Sequence, residues 1–253
     1  MISISYNYST NDFEFLEENL KQARVVTDDI HLTYVDKFFD GSNENSELIT
    51  KTHELCKGKV RLAEISYNDT IKSHYSNKGD IYRYYHNYTR FVNFQKSKYD
   101  YILFLDGDET LDGQLFKQWL ESFDLTKYSS YNMDCYWYFR SKKYQATTFE
   151  GNPVLIKKDT ISENIIMNRY ERLGLLTQPS ISKVKFEDKI PMIHHFSWAK
   201  GNSDEECKEK LLLKVRAWSH TTDRNWEKLI EDEFNRPFNG TDFIHGYQYN
   251  ILQ

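Results

Sequence analysis

The 253-residue chain predicts an α/β fold: a mostly parallel sheet with helices on both faces and a helical extension at its C-terminus. Three observations carry this expectation. Short apolar runs alternate with longer amphipathic stretches through the first part of the chain. One run, Ile102 to Leu105, is apolar without interruption, as in a strand covered on both faces. The chain then closes on two helical patterns.

The elements follow in order. MISISY reads as a first strand, and behind it Phe13, Leu16, Leu20 and Ala23 recur at helical spacing with Asn11 as a cap. IHLTYVD, ending in Asp36, is a second strand. The polar loop DGSNENS then leads to a helix through ELITKTHELC. KVRLAEISY is a third strand, a long helix fills much of residues 78–97, and YILFLD is a fourth strand. Strands that alternate with helices in this way run parallel. Further on, NMDCYWYFR, PVLIKK and IPMIHHFSW read as strands. Ser203 and Glu206 form a capping box for a helix burying Cys207, Leu211, Val215 and Trp218, and a last helix spans DRNWEKLIEDEF before Pro237. No repeat or linker divides the chain, so one domain over 1–253 is expected, with an extension over 201–253.

Composition narrows the classes. Hydrophobic residues at 39% and charged residues at 28% describe an ordinary folded protein rather than a disordered one. A net charge of -5 leaves no basic surplus for a nucleic-acid partner. Cys56, Cys135 and Cys207 share no ligand spacing and read as reduced thiols. The N-terminus has no basic leader followed by an apolar core, and no apolar run is long enough for a transmembrane segment; a cytoplasmic protein is expected.

The stretch YDYILFLDGDETLDG, residues 99–113, delivers Asp106, Asp108 and Glu109 to one strand end. Carboxylates so close repel, so a cation is expected among them. An Asp-x-Asp-x-Thr sequence after an apolar strand serves two chemistries. In haloacid-dehalogenase-like phosphatases the first Asp attacks phosphorus, whereas in glycosyltransferases the pair holds a metal against a nucleotide diphosphate. A plain acidic turn before the helix GQLFKQWLESF is the third reading. Position favours the second chemistry. The phosphatase motif lies on the first strand of its fold, and here three strands precede it.

At YILFLDGDE the chain resembles the fourth strand and metal motif of family 2 glycosyltransferases with the GT-A fold. ISISYNYS is similar to that family's first strand and nucleotide-facing turn, and VDKFFDGSNENS to its second strand and Asp-Gly-Ser loop. Arg90 stands where the family has an Arg-Asn pair, with Phe91 in place of the Asn, and HHFSWAK resembles a C-terminal His-x-Ser-Trp segment. The resemblance implies a GT-A-like domain with a nucleotide-binding half over 1–110 and an acceptor half over 111–200. It implies metal-dependent, inverting transfer of a sugar from a nucleotide-sugar donor, UDP-linked by preference, to a glycan, lipid-linked or protein acceptor. Tyr6, Asp36 or Asp40, Arg90, Asp106 and Gly107 would bind the nucleotide. Asp106, Asp108 and His195 would hold Mn²⁺ or Mg²⁺, with His194 on the opposite face and His245 as a further candidate. Glu171 would be the catalytic base, with Glu150 and Glu163 as rivals. Lys200, Arg216 and Arg224 lie nearby and read equally as phosphate partners or as solvated residues. A metal-dependent phosphatase and a non-catalytic nucleotide-sugar-binding module remain the alternatives.

Overall fold

The computed structural model describes residues 1–68, 78–168, 172–176, 190–217 and 224–252. Its first four strands, β1 (Ile2–Tyr8), β2 (Ile30–Val35), β3 (Arg61–Ile65) and β4 (Tyr101–Asp106), run parallel in the order β3-β2-β1-β4. Helix α1 (Phe13–Val26) places Leu16, Leu20 and Ala23 in the core on one face, against Tyr6, Leu32, Leu103 and Leu105. Helix α2 (Ser46–Cys56) joins the same face. Helix α3 (Lys78–Lys96) covers the other. Asn11 does not cap α1. It sits in a 3₁₀ turn, Thr10–Asp12, where its own N–H donates to Ser9 Oγ at 3.3 Å.

The alternation in β1 explains why α3 packs over a polar stripe. Isoleucines and Tyr6 face α1, while Ser5 and Asn7 face α3. Asn93 on α3 donates to Ser5 Oγ (2.9 Å) and to the Tyr6 carbonyl (3.1 Å) and accepts from Thr33 (2.5 Å). The buried polar groups are thereby satisfied, which burial demands.

Beyond β4 the sheet changes character. Strand β7 (Ser141–Lys157) runs antiparallel to β4 and to β6 (Ser130–Phe139). Strand β8 (Ile193–Trp198) is parallel to β6, and the short β5 (Glu109–Leu111) is antiparallel to β8. Strand β9 (Tyr249–Ile251) pairs with β7. The expected sheet is thus parallel through residue 106 and mainly antiparallel after it. Helices α4 (Gly113–Ser122) and α5 (Glu163–Asn168) lie on opposite faces, as expected for both-sided cover.

The extension consists of α6 (Asp204–Ala217) and α7 (Trp226–Phe234). Ser203 caps α6 by accepting from Glu206 N at 3.1 Å, and Glu206 reaches back to Asn202 N at 2.9 Å. Cys207, Leu211 and Val215 are buried against Phe139 and Trp198; Trp218 lies outside the described residues. All three cysteines are buried free thiols. Among the described residues, no helix is long and apolar enough to cross a membrane.

Candidate active site

Parallel strands present their carboxyl ends along one rim, and ligands of such sheets bind there. Register sets Asn7 of β1 directly beside Asp106 of β4. Asp106 faces α3, like Phe104 and Ile102 two and four residues before it. Arg90 on α3 approaches one carboxylate oxygen at 3.3 Å, and Arg172 approaches the other at 3.1 Å. Burial would raise this carboxyl's pKa, but Arg172 and Arg90 outweigh it and hold the group below the usual range. Asp106 is ionised and doubly paired.

The turn that follows is closed from inside. Asp106 N donates to Glu109 Oε2 at 2.9 Å, and the wholly buried Glu109 is gripped by both terminal nitrogens of Arg172. Gly107 allows the turn to approach α1. A Cβ there would come within 2.9 Å of Asp12 Cβ and Oδ2. The Gly107 carbonyl accepts from Asn19 at 2.8 Å, and Thr110 donates to Asn19 Oδ1 at 2.7 Å.

Asp108 turns away from α3 toward the C-terminal elements. His195 Nε2 lies 3.5 Å from its Oδ1, and Lys200 and Lys214 lie 3.3 and 3.8 Å from its Oδ2. Against the upward push of burial, Lys200 and Lys214 hold this carboxyl well below its usual range. Lys200 also pairs with Asp12, whose pKa burial pushes up to about 6. Lys214 donates to the Ser197 carbonyl at 3.1 Å, and burial pushes its pKa down to about 8. Four carboxylates (Asp12, Asp106, Asp108, Glu109) therefore meet four cations (Arg90, Arg172, Lys200, Lys214), all buried except Asp106, which is partly exposed at the rim.

Do these groups fit the divalent cation that the resemblance implies? Each oxygen of Asp106 and Asp108 already faces a nitrogen of Arg, Lys or His. His195 directs Nε2 at Asp108, while its buried Nδ1 has no hydrogen-bond partner and lies 3.9 Å from Glu109. Among the described residues, no set of three or more His, Cys, Asp or Glu is arranged to hold a metal. The arrangement does not fit a bare Mn²⁺ or Mg²⁺. The cation called for by the acidic strand end is supplied by the chain's own side chains.

Other expected site residues lie as follows. Tyr6 is not on the rim. Its ring is in the core and its hydroxyl donates to the Asn19 carbonyl at 3.2 Å, so Asn7 takes the rim position. Asp36 accepts from Tyr67 N at 2.7 Å, and Asp40 accepts from Ser42 N and Oγ at 2.8 and 2.6 Å. Both lie just beyond the end of β2 beside a buried aromatic cluster. There Tyr67 stacks on Tyr85 (5.1 Å), Tyr85 on Phe39 (5.9 Å), and Tyr82 meets His86 (4.0 Å). His194 does alternate to the opposite face, where Tyr138 Oη meets its Nδ1 at 2.7 Å. Arg216 pairs with exposed Glu227, and Arg224 lies on the surface beside Trp226; neither is drawn to the cluster. Glu163 is exposed on α5, and Glu171 lies outside the described residues.

Several members escaped the sequence reading. Lys214 carried a signal: it follows Leu211 by three positions and Cys207 by seven, a lysine on α6's apolar stripe. Arg172 and Asp12 carried none. His86 was hidden in an aromatic helix, and its state is fixed by its neighbours. Asn7 Nδ2 and Arg90 Nη2, both donors, lie 3.0 and 3.1 Å from its Nδ1, which must therefore accept. Burial, aided by Arg90, pushes its pKa down to about 3, leaving a neutral ring with its proton on Nε2.

No protein-family model and no curated protein matches the chain. Similar solved structures include S. aureus TarS 1-349, with a TM-score of 0.48 at 13% identity over 92% of this chain and 70% of that one. TarS 1-349 is also solved in complex with UDP and with UDP-GlcNAc. The galactosyltransferase LgtC, in complex with donor and acceptor sugar analogs, gives 0.45 at 11% identity over 88% of this chain and 98% of that one. The glycosyltransferase GlyE of Streptococcus pneumoniae TIGR4 gives 0.41 at 14% identity over 92% of this chain and 63% of that one. These likenesses are distant.

Proposed function

We propose that the chain is a glycosyltransferase moving a sugar from a nucleoside diphosphate, UDP in the first instance, to a hydroxyl acceptor. One observation carries the reading. The Asp-x-Asp turn at the rim is flanked by Arg90 and Arg172 on one side and Lys200 and Lys214 on the other, beside a buried aromatic cluster edged by Tyr82 and His86. The partly exposed Tyr82 and His86 at its edge suit stacking on a base, with Asp36 or Asp40 within the same strand end to accept from base or ribose. The lysines suit a diphosphate, whose oxygens replace the carboxylate partners that hold them in place. As the glycosidic bond breaks, negative charge builds on the departing diphosphate, and cations already held in low dielectric stabilise it without reorganising.

A phosphatase uses its first aspartate as a free nucleophile. Asp106 here has both oxygens engaged by guanidinium groups, which withdraw the electron density that attack on phosphorus needs. The same proposal includes a family 2-like, inverting reaction, with the base and ribose of the donor held by residues 1–110, its diphosphate reaching Lys200 and Lys214, and the acceptor held by 111–200.

The test is incubation with UDP-, GDP- and CDP-sugars, water serving as acceptor, while released nucleotide is measured. Release from a UDP-sugar is expected, with Lys200→Ala weakening UDP binding at least tenfold by calorimetry. A protein that neither binds nor turns over any of these nucleotides ends the reading.

A further inference from the structure

The C-terminal segment contains a device that donor binding leaves unused. Asp242, almost fully buried, accepts at Oδ1 from the backbone N–H groups of Ile244 (2.7 Å), His245 (2.5 Å) and Gly246 (3.2 Å). Its Oδ2 accepts from Tyr247 N at 3.2 Å and from the Tyr249 hydroxyl at 2.7 Å. One carboxylate thus winds residues 242–249 into a fixed turn, which β9 then ties to β7. The turn delivers two side chains to one place. Tyr247 donates its hydroxyl to Glu150 Oε1 at 2.9 Å, and His245 Nε2 lies 3.7 Å from the same oxygen, its ring stacked on Tyr247.

Glu150 belongs to the same face of the sheet as the charged cluster. It pairs across strands with Cys135, two residues from Trp137, and Trp137 pairs with His195. The Trp137 ring stands between the two histidines, 4.8 Å from His195 and 4.9 Å from His245, edge-on to both. The carboxylate is partly exposed, at 17%, and among the described residues Tyr247 bonds its Oε1 while His245 approaches the same oxygen. That is the geometry of a positioned base: one oxygen anchored, the other left to accept a proton.

We propose that Glu150 is the general base of the transfer, with Tyr247 and His245 as positioning residues set by Asp242. The inference rests on the glycosyltransferase reading. In the step, the acceptor oxygen forms a bond to the anomeric carbon, and its proton passes to Glu150 Oε2. The bond between that carbon and the β-phosphate oxygen breaks, and its electron pair leaves with the diphosphate.

The experiment measures UDP-sugar hydrolysis by the full chain, using the sugar nucleotide that gives turnover and water as acceptor. Glu150→Gln is expected to lower kcat at least a hundredfold while the Kd for UDP stays within twofold. Tyr247→Phe is expected to lower kcat about tenfold while KM and the Kd for UDP stay unchanged, because the carboxylate keeps its place in the fold and loses the donor that fixes its orientation. A purely structural role for Tyr247 would move KM and the UDP Kd together with kcat. Turnover of Glu150→Gln within threefold of the parent overturns the proposal and leaves the donor reading standing, as does a hundredfold loss in Glu171→Gln with Glu150→Gln active. A parent chain with no affinity for any nucleotide removes both.

Discussion

Glu44 shows how much one buried acid can reveal at the residue scale. It accepts from Thr10 N at 3.0 Å and from the Thr10 hydroxyl, yet burial still pushes its carboxyl up to about 7 from a usual 4.5. The folded state therefore holds this proton more tightly than the unfolded chain. The stabilisation is complete below pH 4.5 and is lost as pH rises through 7. Glu44→Gln keeps an acceptor for Thr10 and removes the titration. Between pH 5 and 8 the parent should lose about 2–3 kcal/mol more than the variant, read from denaturant midpoints at the two pH values. Asp106 and Asp108 lead to a different expectation. Every oxygen of the pair already faces a cationic or imidazole nitrogen, and adding a further cation to a largely buried, balanced cluster is costly. Calorimetric titration of the nucleotide-free protein with Mn²⁺ should show no binding tighter than about millimolar, a Kd worth roughly 4 kcal/mol. A micromolar Kd would return the two carboxylates to the role of metal ligands.

At the scale of elements, the junction between sheet and extension depends on one residue. Arg140 forms the tight turn between β6 and β7 at φ 62°, a left-handed conformation that non-glycine residues seldom adopt. Its guanidinium donates to the Glu233 and Arg236 carbonyls (3.2 and 2.8 Å), pairs with Asp204 at the start of α6, and lies 3.5 Å from the buried Glu233 carboxylate. Arg140→Ala would leave the buried Glu233 Oε1 without its cation, since among the described residues only the exposed Arg236 also pairs with that carboxylate, at Oε2. A loss of about 3–5 kcal/mol is expected in the unfolding free energy, the cost of breaking a buried pair from one side. The same elements show what a sequence can and cannot reveal. Strand β4 and its acidic end were legible because an uninterrupted apolar run ending in carboxylates has few explanations. So was α6, from Ser203, Glu206 and the Cys207–Leu211–Val215 spacing. Strands β5 and β9 were not, because three residues carry no period. The reversal of strand direction after β4 left no trace either, since alternation records which face is buried and not which way a strand runs. Partners such as Arg172 and Asp12 acquire meaning only when distant segments meet.

For the whole molecule, net charge and local charge act in opposite directions. The chain carries -5 overall, whereas the four carboxylates and four arginine and lysine cations of the cluster cancel. A diphosphate of about two negative charges approaching to ~25 Å therefore meets repulsion of roughly 1.7 kcal/mol in unscreened water. At 10 mM salt the Debye length is about 30 Å and somewhat under half of that survives; at 150 mM it is about 8 Å and almost none does. The association rate constant of a fluorescent UDP analogue should accordingly rise about threefold between those salt concentrations in stopped-flow measurements. Dissociation should change little, because Lys200, proposed to hold the diphosphate, is wholly buried and out of reach of mobile ions. An association rate that falls with salt would mean that the lysine side of the cluster already projects a positive field outward, with Asp12 and Asp108 failing to mask it. In that case the carboxylates would orient the cations without neutralising them.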